Sequence, residues 1–214
     1  TISDNVVTQI AHTQDTQLDT FVAFGTKGIG LDLCAGCSVT GNRLAEMGFV
    51  LNDSGVSISN AAGNIFPVPI YVRNGLNIIV STNHILQPQS QGIIGKSYGI
   101  VFSFIGTGAA FIGVDYEVMG NNIVHNDLAH PISHSGIWFN AGDGAFGQSI
   151  TYAKVSENII GNASVAARMT YGIAFTDTEL ATGDSLGTLL ISNEVSNNTI
   201  FGYDERGILF DAGN

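Results

Sequence analysis

Charge is scarce in this 214-residue chain: Asp, Glu, Lys and Arg together make up 12% of it, and seven basic residues face 18 acidic ones. The formal charge of −11 would repel a phosphate backbone, which excludes nucleic acid as a partner. Long apolar runs are missing as well. The greasiest stretch, Phe102 to Val114, is broken by Ser103, Gly106, Thr107, Gly108 and Gly113, so no membrane span is expected. Helical periodicity is absent, since the best window, Ala163 to Met169, is short and follows Gly161. Hairpin signals of the kind that build a sandwich reduce to Asn74-Gly75. Cysteine is limited to Cys34 and Cys37 in Cys-Ala-Gly-Cys, half of a zinc site with no second pair or nearby His to complete it. A local disulfide and two ordinary thiols are the leading readings of that pair, ahead of redox chemistry or metal.

What the chain has instead is 44% hydrophobic residues, 27 glycines and a polar complement of Asn, Ser, Thr and Gln. That profile suits an extracellular, cell-surface or virion β protein better than a cytosolic helical one. It also has repeats. Val or Ile, two residues, Asn, one residue and an aliphatic recur six times, with asparagines at Asn5, Asn42, Asn83, Asn121, Asn158 and Asn198. A second pattern, Gly, Ile or Phe, any residue, Leu or Phe, starts at Gly28, Gly48, Gly99, Gly136, Gly172 and Gly207.

Each motif has a physical reading. Ile and Phe two apart project to one side of a strand, so Ile137 and Phe139 enter a core while Trp138 faces out. Asparagine tolerates the left-handed backbone conformation and offers an amide that can bond along a stack of identical turns. Stacked coils pair each strand in parallel with the coils above and below. The expected fold is therefore all-β, a right-handed single-stranded parallel β-helix of six or seven coils forming one domain over residues 1–214, continued in a longer chain or buried by subunits. Residues 52–79 fit the repeat poorly, with Gly63-Asn64-Ile65 as a degenerate turn of an extra coil. The offset from Asn turn to Gly strand runs from six positions (Asn42 to Gly48) to 23 (Asn5 to Gly28), and the loops it contains should line one functional face.

The two motifs resemble the coil repeat of the pectin-lyase-like superfamily, which includes phage tailspikes, polysaccharide lyases, glycosidases and epimerases. The resemblance covers nearly the whole chain but concerns scaffold residues only. It implies a polysaccharide partner and a solenoid fold. The Asn-Thr-Asp, Asp-Asp, Gly-His-Gly and Arg-Ile-Lys signatures of the polygalacturonase-like hydrolases are missing, as is the Asp-Pro-His-Glu of mannuronan epimerases, and no paired basic motif matches the lyases. No family catalytic residue carries over.

Candidate sites rest on the repeat itself. Four residues after each second-motif Gly stand Asp32, Asn52, Ser103, Asn140, Thr176 and Asp211, an outward polar column. Asp143 and Glu179 each fall seven residues after their Gly in adjacent coils, which lie about 4.8 Å apart. Two carboxylates that close suit the acid and nucleophile of a retaining glycosidase, or calcium, or plain solvated loops. His125, His130 and His134, with Asp127 among them, precede the Trp138 strand: His134 is the candidate general base, and His130 and Asp127 are candidate substrate contacts. No metal is assigned to them. Trp138 is expected as an exposed platform for a sugar ring or as a subunit contact. Asp115 and Glu117 in Val-Asp-Tyr-Glu-Val share the outer face of a strand, with Tyr116 turned inward. The functional expectation is a tailspike-like protein that binds, and in the enzymatic variant cleaves, a polysaccharide. It needs no cofactor beyond optional calcium. The competing expectation is a structural shaft, adhesin or filament segment stabilised by homo-oligomerisation.

Overall fold

The computed structural model describes residues 1–13, 26–51, 67–88, 98–103, 112–125, 135–140, 149–162, 168–176 and 189–211. Alternating apolar and polar residues put these segments into strands. The first coil holds β1 (Ile2–Ser3), β2 (Val6–Thr13) and β3 (Thr26–Asp32); the second holds β4 (Ser38–Thr40), β5 (Arg43–Leu51) and β6 (Pro67–Arg73). The third comprises β7 (Ile78–Ser81), β8 (His84–Pro88) and β9 (Tyr98–Ser103), and the fourth β10 (Ile112–Met119), β11 (Asn122–His125) and β12 (Ser135–Asn140). The fifth is β13 (Ser149–Ser156), β14 (Ile159–Asn162) and β15 (Met169–Thr176). In the sixth the first-sheet strand is split into β16 (Leu189–Ile191) and β17 (Glu194–Ser196), followed by β18 (Thr199–Phe201) and β19 (Tyr203–Asp211).

Every strand pairs in parallel with its counterpart one coil away, which generates three sheets. The first follows β1-β4-β7-β10-β13-β16 with β17 also on β13, the second β2-β5-β8-β11-β14-β18, and the third β3-β6-β9-β12-β15-β19. This is a parallel β-helix of six coils, as the repeat predicts.

Register turns the repeat into columns. Val39, Val80, Val118 and Val155 stack inward from the first sheet, and Leu44, Ile85, Ile123 and Ile160 from the second, all fully buried. The third sheet supplies two inward columns, Ile29-Ile70-Ile100-Ile137-Ile173-Ile208 and Leu31-Val72-Phe102-Phe139-Phe175-Phe210. In the second of these the four phenyl rings stack with centroids 4.5, 4.4 and 4.6 Å apart and planes within 10° of parallel. A single coil buries nothing; the stack buries the middle of every column at once.

The six asparagines form the expected ladder. The side-chain amides of the first five donate to the Oδ1 of the asparagine one coil on, at 2.9 Å for Asn5 to Asn42, 3.0 Å for Asn42 to Asn83 and for Asn83 to Asn121, and 2.9 Å for Asn121 to Asn158 and for Asn158 to Asn198. Backbone N–H groups of the same residues donate to the same oxygens, so the buried amides are satisfied from both sides. One expectation needs correcting: the left-handed backbone belongs to the residue before each ladder asparagine, namely Asp4, Gly41, Thr82, Gly120, Glu157 and Asn197, with φ between 54° and 68°. The preceding residue makes the bend, which leaves the asparagine free to point inward and bond along the stack.

The second motif's glycines have a packing reason. A Cβ on Gly99, Gly136 or Gly172 would collide with Ile123, Ile160 or Ile200 of the second sheet and with the carbonyl of the next glycine in the column. Gly48 does not belong to that column. Gly48 to Leu51 lies inside β5, where Phe49 pairs with Ala11, and the second coil's third-sheet strand is β6, from the segment that fits the repeat poorly. Arg73 accordingly takes the place expected for Asn52 in the polar column, between Asp32 and Ser103. Nor is that column a solvated edge throughout, because Ser103 and Asn140 are buried. Asn74-Gly75 joins the third sheet to the first rather than closing a hairpin. Residues 63–65 lie outside the described segments. Cys34 and Cys37 form a disulfide in the turn between β3 and β4.

Candidate functional site

Asp127, His130, His134, Asp143 and Glu179 lie outside the described residues. Trp138 lies within them, and it stands on the outer side of the third sheet, as the alternation requires. Its ring is not an exposed platform, however. Only 7% of the residue is accessible, the indole stacks on Tyr98 of the preceding coil at 5.0 Å with planes 7° apart, and Nε1 donates to Thr176 Oγ1 at 2.8 Å. It belongs to a second apolar cluster with Val68, Tyr71, Tyr98, Val101 and Ala174. Neighbouring coils supply the aromatic and aliphatic partners that bury it, which the local Gly-Ile-Trp-Phe sequence does not reveal.

At one edge of that cluster Lys27 sits 4.3 Å over the Tyr71 ring, and Arg73 grips both carboxylate oxygens of Asp32. Burial lowers the Lys27 pKa, aided by repulsion from Arg73, and burial raises that of the Tyr71 phenol. The guanidinium bond holds Asp32 below the usual carboxylate range. This group joins neighbouring coils in an ion pair.

An open concavity lies on the outer face of the first sheet. Counting back six residues from a ladder asparagine reaches Gly36, Asn77, Asp115, Tyr152 and Ser192, each with φ between 52° and 66°. The left-handed residue interrupts the strand: Val114 pairs with Thr151 and Tyr116 with Ala153, while Asp115 and Tyr152 bulge out between the pairs. Counting back four gives the next outward column, Ser38-Ile79-Glu117-Lys154-Glu194, in continuous register. In the third, fourth and fifth coils these columns enclose a recess of about 410 Å³ lined by Asn77, Ile79, Asp115, Glu117, Tyr152 and Lys154. It is a two-by-three array: one residue from each column per coil, repeated at the coil pitch of about 4.8 Å.

All six side chains are exposed, Tyr152 to 55% and Ile79 to 39%. Behind them Tyr116 is fully buried, packed edge-on against Phe102 and Phe139, and its hydroxyl donates to the Gly75 carbonyl. Burial raises its pKa. The strand alternation that separates Asp115 and Glu117 from Tyr116 is thus as expected. Asn77, Ile79, Tyr152 and Lys154 escape a sequence search because no local motif joins them. Their common offset from the asparagine ladder is the signal that finds them.

The array offers a flat apolar ring, an aliphatic patch, two carboxylate acceptors, an ammonium donor and an amide that does both. Such a set matches hydroxyl-rich rings, whose C–H faces stack on aromatics. Among the described residues no group of three or more His, Cys, Asp or Glu is placed to hold a metal ion, and no helix is long and apolar enough to cross a membrane. Compared with family models, curated proteins and solved structures, the chain matches none.

Proposed function

We propose that this β-helix is an extracellular or virion-associated carbohydrate-interacting protein of the pectin-lyase-like, tailspike kind, engaging a polysaccharide along its flank. The observation that carries the reading is the two-by-three array on the first sheet. Tyr152 and Ile79 provide stacking surface, while Asp115, Glu117, Lys154 and Asn77 provide hydrogen-bonding groups in register over three coils. Cleavage, in this reading, is the work of Asp143, Glu179 and His134, with His130 and Asp127 contacting substrate. It calls for no organic cofactor, and Asp143 and Glu179 are where calcium would enter.

The test is calorimetric titration of the intact chain against a panel of neutral, uronic and amino polysaccharides, with parallel assays for new reducing ends and for ultraviolet-absorbing unsaturated products. Saturable binding to at least one glycan, weakened by Tyr152→Ala with the melting temperature unchanged, is the expected result. Silence across the panel in all three readouts refutes the reading.

A structural shaft or filament segment is the second reading, and a specific observation favours it. The asparagine ladder joins all six coils and the phenyl stack the last four without a break, the continuous column that a shaft needs. Sedimentation of the intact chain separates the two: concentration-dependent long assemblies support the shaft, and a discrete species supports the glycan-binding reading.

A further inference from the structure

If the flank is a glycan site, as proposed above, its charge pattern narrows the ligand. Asp115 and Glu117 lie on one strand on either side of inward-facing Tyr116, so the fourth coil presents two carboxylates side by side. The fifth coil presents Tyr152 and Lys154, and the third presents the uncharged Asn77 and Ile79. Beyond Lys154, the same column continues into Glu194. The single ammonium of the array is therefore flanked by acids along its column, within a chain of formal charge −11.

A polymer laid along the solenoid axis meets a new coil every 4.8 Å or so, close to the length of one sugar in an extended chain. A polyuronate would bring one carboxylate per sugar, against Asp115 and Glu117 in one coil and with no cation in the third. A polyamine glycan would be drawn to Asp115 and Glu117 in the fourth coil, but with one ammonium per sugar it would also be set against Lys154 in the fifth and over the aliphatic Ile79 in the third, where desolvating a charge is costly. Uncharged sugars avoid both conflicts: vicinal hydroxyls donate to the two carboxylates and accept from Lys154 and Asn77, and the ring face rests on Tyr152. From this arrangement we infer that the recess takes an uncharged polysaccharide laid along the solenoid axis, about one sugar per coil, and discriminates electrostatically against polyuronates.

The experiment titrates the intact chain with three probes of equal length: a neutral glucan hexasaccharide, a hexagalacturonate and a glucosamine hexamer, each at low and high ionic strength. The neutral probe should bind with an affinity that salt leaves within about twofold. The uronate should bind roughly tenfold more weakly at low salt, and the gap should shrink at about 0.5 M salt, where exposed charges are screened. Asp115→Asn with Glu117→Gln should weaken the neutral probe and narrow the gap to the uronate. Tyr152→Ala should weaken the neutral probe while Tyr152→Phe retains it, with melting curves showing both variants folded. If no probe binds, the glycan-binding reading itself falls. If the neutral probe binds but the uronate or the glucosamine hexamer binds as tightly or more tightly, only the inference about charge falls. Neutral binding indifferent to all these substitutions removes the site from this flank.

Discussion

Tyr116 ties the exposed array to the core, and replacing it with phenylalanine should give a stability change that reverses sign with pH. The ring stays, so packing against Phe102 and Phe139 is kept. What is lost is the hydroxyl that donates to the Gly75 carbonyl. Leaving a buried acceptor without its donor costs about 1–3 kcal/mol, so at pH 7 Tyr116→Phe should be less stable by that amount. At high pH the balance turns. Burial raises the pKa of the folded-state phenol, so the unfolded chain releases this proton first, at about pH 10. A raised folded pKa contributes stability that is fully present below the unfolded value and lost as pH rises towards the folded one. The wild type should therefore lose up to about 1.4 kcal/mol per pH unit through this group above pH 10, whereas the phenylalanine variant has no such proton to lose. The two stability curves should meet at roughly pH 11–12. Tyr71, whose pKa burial also raises, adds an alkaline loss common to both proteins, so the difference between them isolates Tyr116. Urea unfolding followed by circular dichroism at half-unit steps from pH 7 to 12 measures the effect. Parallel curves with a constant offset would refute the claim that the buried phenol stays protonated in the fold.

The remaining expectations concern the columns. Asn121→Asp removes the amide that donates to Asn158 Oδ1 and to the Val80 carbonyl, and puts a buried carboxylate where those acceptors converge. It should cost at least about 3 kcal/mol in thermal or urea unfolding, and less at acid pH once the carboxyl is protonated. A cost under about 1 kcal/mol would mean the ladder is incidental to stability. Gly136→Ala drives a Cβ into Ile160 and the Gly172 carbonyl and should cost about 1–3 kcal/mol by overpacking, whereas Gly30→Ala, which meets only the far stem of Lys27, should be tolerated. Equal melting temperatures for those two variants would overturn the packing explanation of the second motif. Phe139→Ala opens the middle of the phenyl stack and should cost about 3–5 kcal/mol by equilibrium unfolding.

The scaffold is legible in the sequence because its physics repeats. Each coil must place an asparagine in the same turn and an aliphatic or aromatic residue in the same column, so six weak local signals add up to one strong periodic one. Legibility fails where a single coil departs from the rule. In the second coil Pro69 stands at the position Gly28 holds in the first, so a search for glycine passes over β6 and settles on Gly48, which sits in β5. Trp138 fails differently. Alternation assigns its side of the sheet correctly, but its burial depends on Tyr98, a residue 40 positions earlier brought beside it only by coil stacking.

The same reasoning explains why the candidate site hides. Its six residues come from three coils, and within any one coil the pair looks like an ordinary exposed strand, as Asp115 and Glu117 do. Only the register joins them. A site built this way is tolerant of change in one coil and sensitive to slippage between coils, because shifting one strand by a single residue would send Asp115 and Glu117 to the core and Tyr116 to solvent. The asparagine ladder opposes that slip by fixing one atom of every coil against the next, and the fully buried Tyr116 resists it from within. Ladder substitutions that leave the helix folded should therefore weaken the glycan binding proposed for the flank even though no ladder atom reaches the recess, and a variant with a damaged ladder and undiminished binding would break the link between scaffold and site.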